Sequence, residues 1–408
     1  MLPDIRIVKE SGLGRRTPSA DMVVGLVMGG IATTAYATLG TTVELRGVSD
    51  AKALGFDAAY DETNKVLVYH HVERIFARNK SAKVFLKVVA QTVTLAEMAD
   101  VTLTHVAGLL LDAKGEVGVV GIALNPASGY SETLETGLNA DVIAAIPKAQ
   151  ALVESEFTKH RPVFIVIEGR HFNGTAAAAL DLRTKEAEGV AVVIAADYNV
   201  SQLEIGGTKP YQYYAAIGDV LGMISAAKVN ENIGWVSKFP LTDTSLGMFT
   251  KSALSSGLAI ETYEADYATL HDKGYIYAKP HNGKTGYYFN SSPTCAAIDQ
   301  DEAYIENART LNKGAKLIRA NTLEALNSPV LLNEDGTVQA VVIGALEGLA
   351  EEGLQQMQRD GEVSNFDVYI NPEVVFMENE ESLEVEYSLQ PVGVLRELKG
   401  KIKLVAKI

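Results

Sequence analysis

Gly283, Lys284 and Thr285 form the segment of the chain that comes nearest to a phosphate-binding loop. Such a loop also requires a glycine five residues before the Gly-Lys-Thr triplet and a helix directly after it. This chain has Ala278 at the first of these positions, and residues 286–289 have the sequence Gly-Tyr-Tyr-Phe, which is typical of an extended segment. The spacing therefore predicts a surface turn rather than a nucleotide site.

Two glycine pairs stand where a dinucleotide-binding turn could begin. Gly12 and Gly14 are followed by Thr17 where the third glycine of that fingerprint belongs, and no strand-like run precedes them. Gly29 and Gly30 do follow an apolar run, but they also lack the Gly-x-Gly-x-x-Gly spacing. The second pair predicts a tight turn from a strand into a helix.

Histidines and acidic residues give no recognisable metal-binding spacing. His70 and His71 are neighbours on a predicted helix, so their side chains point about 100° apart and cannot bind one ion together. Asp299, Asp301 and Glu302 lack the glycine and the final glutamate of a calcium loop. They precede a predicted helix, whose N-terminus favours negative charge. We predict no metal site and no cofactor.

Nucleophilic catalysis also lacks a candidate. Cys295 is the single cysteine, and its neighbours predict a small buried residue rather than a nucleophile. The chain has no Gly-x-Ser-x-Gly elbow, although a triad assembled from distant residues has no spacing to recognise. One cysteine also excludes an intrachain disulfide. We therefore expect no catalytic residues.

The composition of the whole chain narrows the class of protein. Its 408 residues are too many for one ordinary domain, so two or three domains are expected. The net charge of −15 argues against a nucleic-acid partner, which requires a basic surface. Residues 1–10 lack a signal-peptide core, and the apolar run 22–32 is about half as long as a membrane span. We predict a protein that folds in the cytoplasm and does not insert into a membrane.

Short apolar runs alternate with amphipathic segments from residue 19 to residue 295. The apolar runs predict buried strands at residues 22–28, 84–89, 117–124, 163–167 and 190–195. The amphipathic segments predict helices at residues 62–78, 94–112, 139–160 and 211–227. Thr94 and Glu97 have the spacing of a capping box at the start of the second helix. The alternation predicts an α/β domain with a mainly parallel sheet covered on both faces.

The periodicity changes after residue 296. Helices are predicted at residues 301–325 and 338–357. The apolar face of the second is predicted to contain Val338, Val341, Val342, Ala345, Leu346, Leu349 and Leu354. Residues 366–370, 383–389 and 401–408 alternate between apolar and polar, as half-buried strands do. Residues 296–392 are therefore predicted to form a C-terminal α+β domain.

The charges near the chain ends favour pairing between strands of different molecules. Residues 373–386 contain six glutamates and no basic residue, whereas residues 392–408 contain five basic residues against Glu397 alone. Opposite charges across neighbouring strands contribute roughly 0.2–1 kcal/mol per pair. A closing hairpin within one chain is the ordinary alternative. An exposed sheet edge, however, is also a site for strand addition by another chain.

The order of elements and the C-terminal pattern resemble the contractile tail sheath proteins of phages and related injection systems. The resemblance covers residues 300–408 best. It is carried by segments 309–311, 316–319, 333–336, 367–372 and 389–393, with the sequences RTL, KLIR, NEDG, DVYINP and LQPVG.

The resemblance implies a homo-oligomer. Subunits would form a helical tube in six-fold layers around an inner tail tube protein, with baseplate and terminator proteins at the ends. Segments 1–18 and 393–408 would be arms that insert as strands into the C-terminal domains of neighbours. The expected arm contacts are Ile5, Ile7, Val8, Lys401, Ile402, Lys403, Leu404 and Ile408. The expected receiving sheet contains Val368, Ile370, Leu383, Glu384, Val385 and Glu386.

The same resemblance implies how such a tube would work. Residues 19–295 would form the outer domain and residues 296–392 the inner one, completed by exchanged strands. Contraction in the mature particle would drive the tube through a target envelope after assembly in the bacterial cytoplasm. Gly12, Gly14 and Gly393 are the expected hinges of the arms. The rival hypothesis is a cytosolic α/β enzyme that binds a nucleotide or a sugar at the ends of the middle strands.

Overall fold

The computed structural model describes residues 20–379 and 382–404 of the chain. The strands are β1 Val23–Gly30, β2 Thr42–Leu45, β3 Lys83–Ala90, β4 Val119–Ala123, β5 Leu134–Glu135, β6 Leu138–Asn139, β7 Phe164–Glu168, β8 Val190–Val193, β9 Ala195–Asp197, β10 Ser252–Leu254, β11 Tyr275–Ile276, β12 Ala278–Pro280, β13 Tyr287–Phe289, β14 Val363–Ile370 and β15 Val385–Pro391. The α-helices are α1 Val48–Ala53, α2 Ala58–Asn64, α3 Val68–Arg78, α4 Leu95–Met98, α5 Val106–Asp112, α6 Ala140–Thr158, α7 Tyr198–Ser201, α8 Ile217–Ala226, α9 Tyr267–Asp272, α10 Ile305–Thr322 and α11 Ala340–Arg359.

Seven strands form one sheet in the order β11-β8-β7-β4-β1-β3-β2. Every neighbouring pair is parallel except β2 and β3 at one edge. Strands β1, β4 and β7 are buried along their whole length, as expected for strands with helices on both sides. The predicted α/β architecture with a mainly parallel sheet is confirmed.

Alternate side chains of β1 belong to different hydrophobic cores. Val24, Leu26 and Met28 pack in the core that includes helices α3 and α8. Val23 and Val27 pack in the core that includes helices α4, α5 and α6. Successive side chains of a strand point to opposite faces of the sheet, so the two cores lie on opposite faces.

Two predicted helices are each divided in the structure. The helix predicted at 62–78 is two helices, α2 and α3, because Lys65 adopts a left-handed conformation with φ of +56° that ends α2. The helix predicted at 94–112 is also two, α4 and α5. The capping box is present as predicted, since Thr94 accepts a hydrogen bond from the Glu97 N–H and Glu97 accepts one from the Thr94 N–H.

The C-terminal region is smaller and more open. Strands β14 and β15 form a separate two-stranded antiparallel sheet, and one face of it packs on α10 and α11. The predicted apolar face of α11 is partly wrong, since Val341 is 71% exposed. The buried positions of this helix are Ile343, Ala350, Gly353, Leu354 and Met357. The face is shifted because the hairpin and α10 decide which side of the helix is covered.

Charged residues of α10 connect the α/β region with the C-terminal region. The Lys313 ammonium donates to Asp21, two residues before β1, at 2.8 Å and to Glu362, directly before β14, at 2.7 Å. The Arg309 guanidinium donates to the backbone carbonyl oxygen atoms of Ala227 and Lys228. The start of the central strand is therefore tied to the C-terminal helices by polar contacts.

Candidate assembly site

At the crevice that an α/β enzyme would use, a side chain of the chain itself bridges neighbouring segments. The sheet order places the switch point between β1 and β4, since β3 continues the sheet on the other side of β1. At this point the Asn125 side-chain amide donates to the Gly29 carbonyl at 2.8 Å and accepts from the Leu67 N–H at 3.1 Å. The Tyr60 hydroxyl closes the end of β1 by pairing with both backbone groups of Ile31.

The residues singled out for chemistry have structural roles. Gly283 has a φ of +84° in the turn that joins β12 and β13, so the predicted surface turn is confirmed. Cys295 is buried, as predicted, and burial raises the pKa of its thiol to about 12. Burial also lowers the pKa of His71 to about 4, and the Gly218 N–H donates to its Nδ1. Both side chains lie in the interior of the fold.

The acidic residues before α10 form no ligand cluster. Across residues 20–379 and 382–404, no group of three or more His, Cys, Asp or Glu side chains is placed to hold a metal ion. No helix in this described part of the chain is both long and apolar enough to cross a membrane.

The β14–β15 hairpin presents one buried and one exposed face. Val368 pairs with Tyr387, and Ile370 pairs with Val385. Val368 and Ile370 are buried against the C-terminal helices, as the alternation predicted. On the other face, Tyr369 is 48% exposed and pairs with Glu386, and Asp367 pairs with Ser388. Glu386, Asp367 and Ser388 are exposed as well, so this face is polar and acidic.

Both outer edges of this hairpin are open. Within the part of the chain that the structure describes, β14 pairs only with β15, and β15 pairs only with β14. A two-stranded sheet leaves backbone N–H and C=O groups without a strand partner along each edge. On β14, side chains of α11 bind two such groups, since the Ile370 N–H donates to Glu347 and the Ser364 carbonyl accepts from Gln358. Such a sheet is marginally stable unless it gains strands or packs on a helix.

The predicted receiving residues lie together only in part. Val368, Ile370, Val385 and Glu386 are in the two paired strands. Leu383 precedes β15 and packs in a small cluster with Val338 and Ile370. Glu384 is exposed beside it.

The described part of the C-terminal arm is largely exposed and mixes apolar with basic side chains. Residues 392–404 form neither helix nor strand. Leu395 and Leu398 are mostly exposed, Ile402 is 99% exposed, and Leu404 is fully exposed. Gly393, the predicted hinge, is exposed, and no atom lies within 4 Å of the position a side chain would take. Of these four apolar residues, Ile402 and Leu404 stand at alternate positions, as the exposed apolar side chains of a strand that adds to a partner sheet do.

Several predicted residues lie outside the described residues. These are the arm residues Ile5, Ile7, Val8 and Ile408 and the hinges Gly12 and Gly14. Their roles stay predictions. Lys401 and Lys403 are described and exposed, next to Ile402 and Leu404.

The sequence reasoning missed the charged face of α10. Glu306, Arg309 and Lys313 are spaced three and four residues apart, so they lie on one face of the helix. That face is turned toward the body of the protein, and Glu306 and Arg309 are buried there. The spacing was a usable signal, but charged residues at helical spacing predict a solvated face far more often than a buried one.

The architecture is that of contractile sheath proteins. The chain superposes on the helical sheath of the anti-feeding prophage in its contracted state with a TM-score of 0.63, at 12% identity and over 99% of each chain. It matches the contracted sheath of an extracellular contractile injection system, PVC, with a TM-score of 0.57, at 12% identity, covering 100% of this chain and 98% of that one. The sheath tail protein of Listeria innocua gives a TM-score of 0.50 at 14% identity, over 93% of this chain and 94% of that one. The sequence-based resemblance is thus confirmed at the level of the fold.

The chain belongs to the DUF2586 family. Residues 2–293 match the model of the DUF2586 N-terminal domain, and residues 301–408 match the model of the DUF2586 C-terminal domain. No curated protein matches the chain.

Proposed function

We propose that the protein is the structural subunit of a contractile sheath. It polymerises as a helical tube around an inner tail tube and contracts to drive that tube through a target envelope. The single observation that carries this proposal is the fold match to sheath subunits over 99% of both chains. The match includes the open C-terminal hairpin region as well as the α/β body.

Strand exchange is the proposed means of polymerisation. The β14–β15 sheet has two open edges, and the arm of the same molecule ends in exposed alternating apolar residues. Residues 399–403 of that arm carry three lysines, whereas Glu384 and Glu386 flank and enter β15. A basic strand added beside an acidic one gains backbone hydrogen bonds together with favourable cross-strand pairs. The arms at 1–18 and 393–408 are proposed to supply such strands to neighbouring subunits.

The assembly follows from this donor and acceptor geometry. A donor surface and an acceptor surface at different places on one molecule make head-to-tail contacts, which give a helical polymer when they do not close into a ring. Strands that are exchanged keep subunits joined while the globular bodies rotate between an extended and a contracted arrangement. Gly12, Gly14 and Gly393 are the hinges proposed from the sequence.

The proposed partners follow from the same role. They are further copies of this chain in six-fold layers, an inner tail tube protein, and baseplate and terminator proteins. Neither a nucleic acid nor a membrane is a proposed partner, because the chain has a net charge of −15. Subunits are proposed to assemble in the bacterial cytoplasm, with residues 19–295 outside and residues 296–392 facing the tube.

The rival hypothesis of an α/β enzyme has no supporting observation. Asn125 lies at the switch point at which such an enzyme would hold its ligand, and Tyr60 binds the backbone directly after β1. The Gly283 turn has no helix after it to hold a phosphate, because β13 follows.

Electron microscopy of the expressed full-length protein tests the proposal. We expect hollow cylinders with a ridged, helical surface, formed without any added ligand. A protein that stays monomeric at concentrations well above those used for the microscopy, with both arms intact by mass spectrometry, would refute it.

A further inference from the structure

Arg396 is held in a socket on the surface of its own subunit. Its guanidinium donates to a Glu306 carboxylate oxygen at 2.7 Å and to the Ser291 hydroxyl at 3.1 Å. The same group lies over the Tyr304 ring, 3.3 Å from the ring centroid. A planar guanidinium that both stacks on an aromatic face and binds a carboxylate uses the two recognition modes that distinguish arginine from lysine.

The socket is built from buried groups. The Glu306 side chain is only 2% exposed, and the Asn232 amide and the Ser292 hydroxyl also donate to its carboxylate. Arg183 lies 5.2 Å from the Tyr304 centroid and donates to the carbonyl oxygen atoms of Ala296 and Ala303, which fixes the loop before Tyr304. Burial of a carboxylate is costly unless a cation pairs with it, so an empty socket is disfavoured.

Arg396 stands out from the other cations of the arm. Lys399, three residues later, pairs only with Glu397 at 3.2 Å, and both of these side chains are mostly exposed. Surface pairs of this kind contribute little. Within the described arm, residues 397–404 therefore have no contact comparable to the socket.

We propose that the socket of each subunit is occupied by Arg396 of the same chain, so that the C-terminal arm is fixed at this residue and its movable part begins at residue 397. This inference rests on the proposed strand exchange, and it locates the pivot about which the donated strand moves. Gly393, the hinge expected from the sequence, lies before the fixed point and does not move the donated strand. The pivot is then the segment 397–400, which ends in a glycine, Gly400.

The position of the pivot limits how far the arm reaches. The strand-like alternation begins at residue 401, so a link of residues 397–400 joins it to the socket. The five residue steps from Arg396 to Lys401 span at most about 17–18 Å, whereas the eight steps from Gly393 would span about 26–29 Å. The receiving sheet of the neighbour must therefore begin within the shorter distance of Arg396.

Limited trypsin digestion of the dilute full-length subunit, followed by mass spectrometry, tests the socket. Trypsin must bind the arginine or lysine side chain before it cuts, so a socketed Arg396 is shielded while Lys399 is not. We expect cleavage after Lys399 to be about tenfold or more faster than cleavage after Arg396. Equal rates at the two sites in the wild-type subunit would overturn the proposal.

Variants of the socket test the Tyr304 ring and the Glu306 carboxylate separately. Tyr304→Leu and Glu306→Gln should each accelerate cleavage after Arg396, with cleavage after Lys399 unchanged as an internal control. Tyr304→Phe keeps the ring and should behave as wild type. If Tyr304→Leu does not fold, Glu306→Gln gives the same comparison. No change at Arg396 in either variant would contradict the socket.

Digestion at several protein concentrations distinguishes a socket filled by Arg396 of the same chain from one filled by Arg396 of a neighbour. Shielding of Arg396 in dilute monomers, independent of concentration, is the expected result. Shielding that arises only in polymers would overturn the proposal, since a neighbour would then fill the socket. A protein that never polymerises would refute the sheath function and leave the monomer digestion interpretable. Where polymers do form, deletion of Leu398 and Lys399 should block them while Arg396 stays shielded in the monomer.

Discussion

The α/β body and the C-terminal hairpin differ in how much of each sheet is covered within one molecule. In the body, helices cover both faces of a seven-stranded sheet, and β1, β4 and β7 are buried throughout. The β14–β15 sheet has two strands, one covered face and two open edges. The first region is complete within one molecule. The second has no neighbouring strand in the described part of the chain, as the proposed strand exchange requires of its acceptor.

The difference also appears in where the charges lie. The body buries carboxylates among its own donors, as Glu168 does with the N–H groups of Leu124 and Ala215. The hairpin keeps Asp367 and Glu386 exposed on its outer face. Buried polar groups fix a unique structure within the chain, whereas exposed ones of one sign are available to a partner of the opposite sign.

Removal of the movable arm should separate assembly from folding most clearly. Deletion of residues 397–408 is expected to abolish helical polymers in electron microscopy, because the donated strand is lost. The melting temperature of the body should change by less than about 2 °C, because the removed residues that are described make no buried contact. Polymers of normal length from the truncated protein would contradict a role for this arm.

A substitution in the core should instead lower the stability of the folded subunit. Leu26→Ala removes a fully buried side chain of the central strand and should destabilise the protein by about 2–5 kcal/mol in denaturant titration. Leu389→Ala in the half-buried hairpin is the matched change. It should cost less than Leu26→Ala in the monomer, and a cost as large would mean that the hairpin is already part of one cooperative core.

The pH dependence of stability should reside in the body. Burial raises the pKa of Glu168 and that of Asp61 to about 7 in the folded protein. Because each pKa is above its unfolded value, the folded state holds more protons between about pH 4 and pH 7, and stability falls as the pH rises through this range. For Glu168 the loss is up to about 3 kcal/mol.

Thermal unfolding at pH 5.5 and pH 8 measures this dependence. Glu168→Gln should reduce the difference between the two melting temperatures. Glu386→Gln, an exposed change in the hairpin, is the matched control and should leave the difference unaltered. A wild-type protein that is more stable at pH 8 would show that other titrating groups dominate.

Reversal of a single charge on the hairpin should have the smallest effect. Glu386→Lys places a positive charge beside the basic arm that a neighbour is proposed to donate. The repulsion should weaken each donated contact by roughly 0.2–1 kcal/mol. Light scattering should show a higher critical concentration for polymer formation, with a smaller dependence on salt. Glu352→Lys, an exposed position of α11, is the control, and an equal effect from it would point to net charge rather than strand pairing.

The main features of the body were predictable because its strands are apolar on both faces. The runs at 84–89 and 163–167 became β3 and β7 almost residue for residue. The division of the helix at 62–78 was not predictable, because apolar spacing does not reveal the left-handed turn at Lys65. The shifted face of α11 was missed for a related reason, since its sequence offers apolar residues on more than one side and the neighbouring elements select among them.

The strands of the candidate site were predictable from the sequence pattern, but the contacts between distant segments were not. Alternation along 366–370 and 383–389 gave the two strands and the buried side of the hairpin, because a period of two follows from strand geometry. The Arg396 socket joins residues about 90 and 105 positions apart in the chain, at Glu306 and Ser291, and no local spacing encodes such a contact.

The sequence by itself determined the α/β class, the half-buried strands near the end and the opposite charges of the arm and the hairpin. These depend on local periodicity and composition, which each segment carries alone. Only the tertiary structure decided that Asn125 fills the switch point, that the hairpin edges stay open and that Arg396 fixes the arm. Each of these is a contact between distant segments, and packing of the whole chain is what brings such segments together.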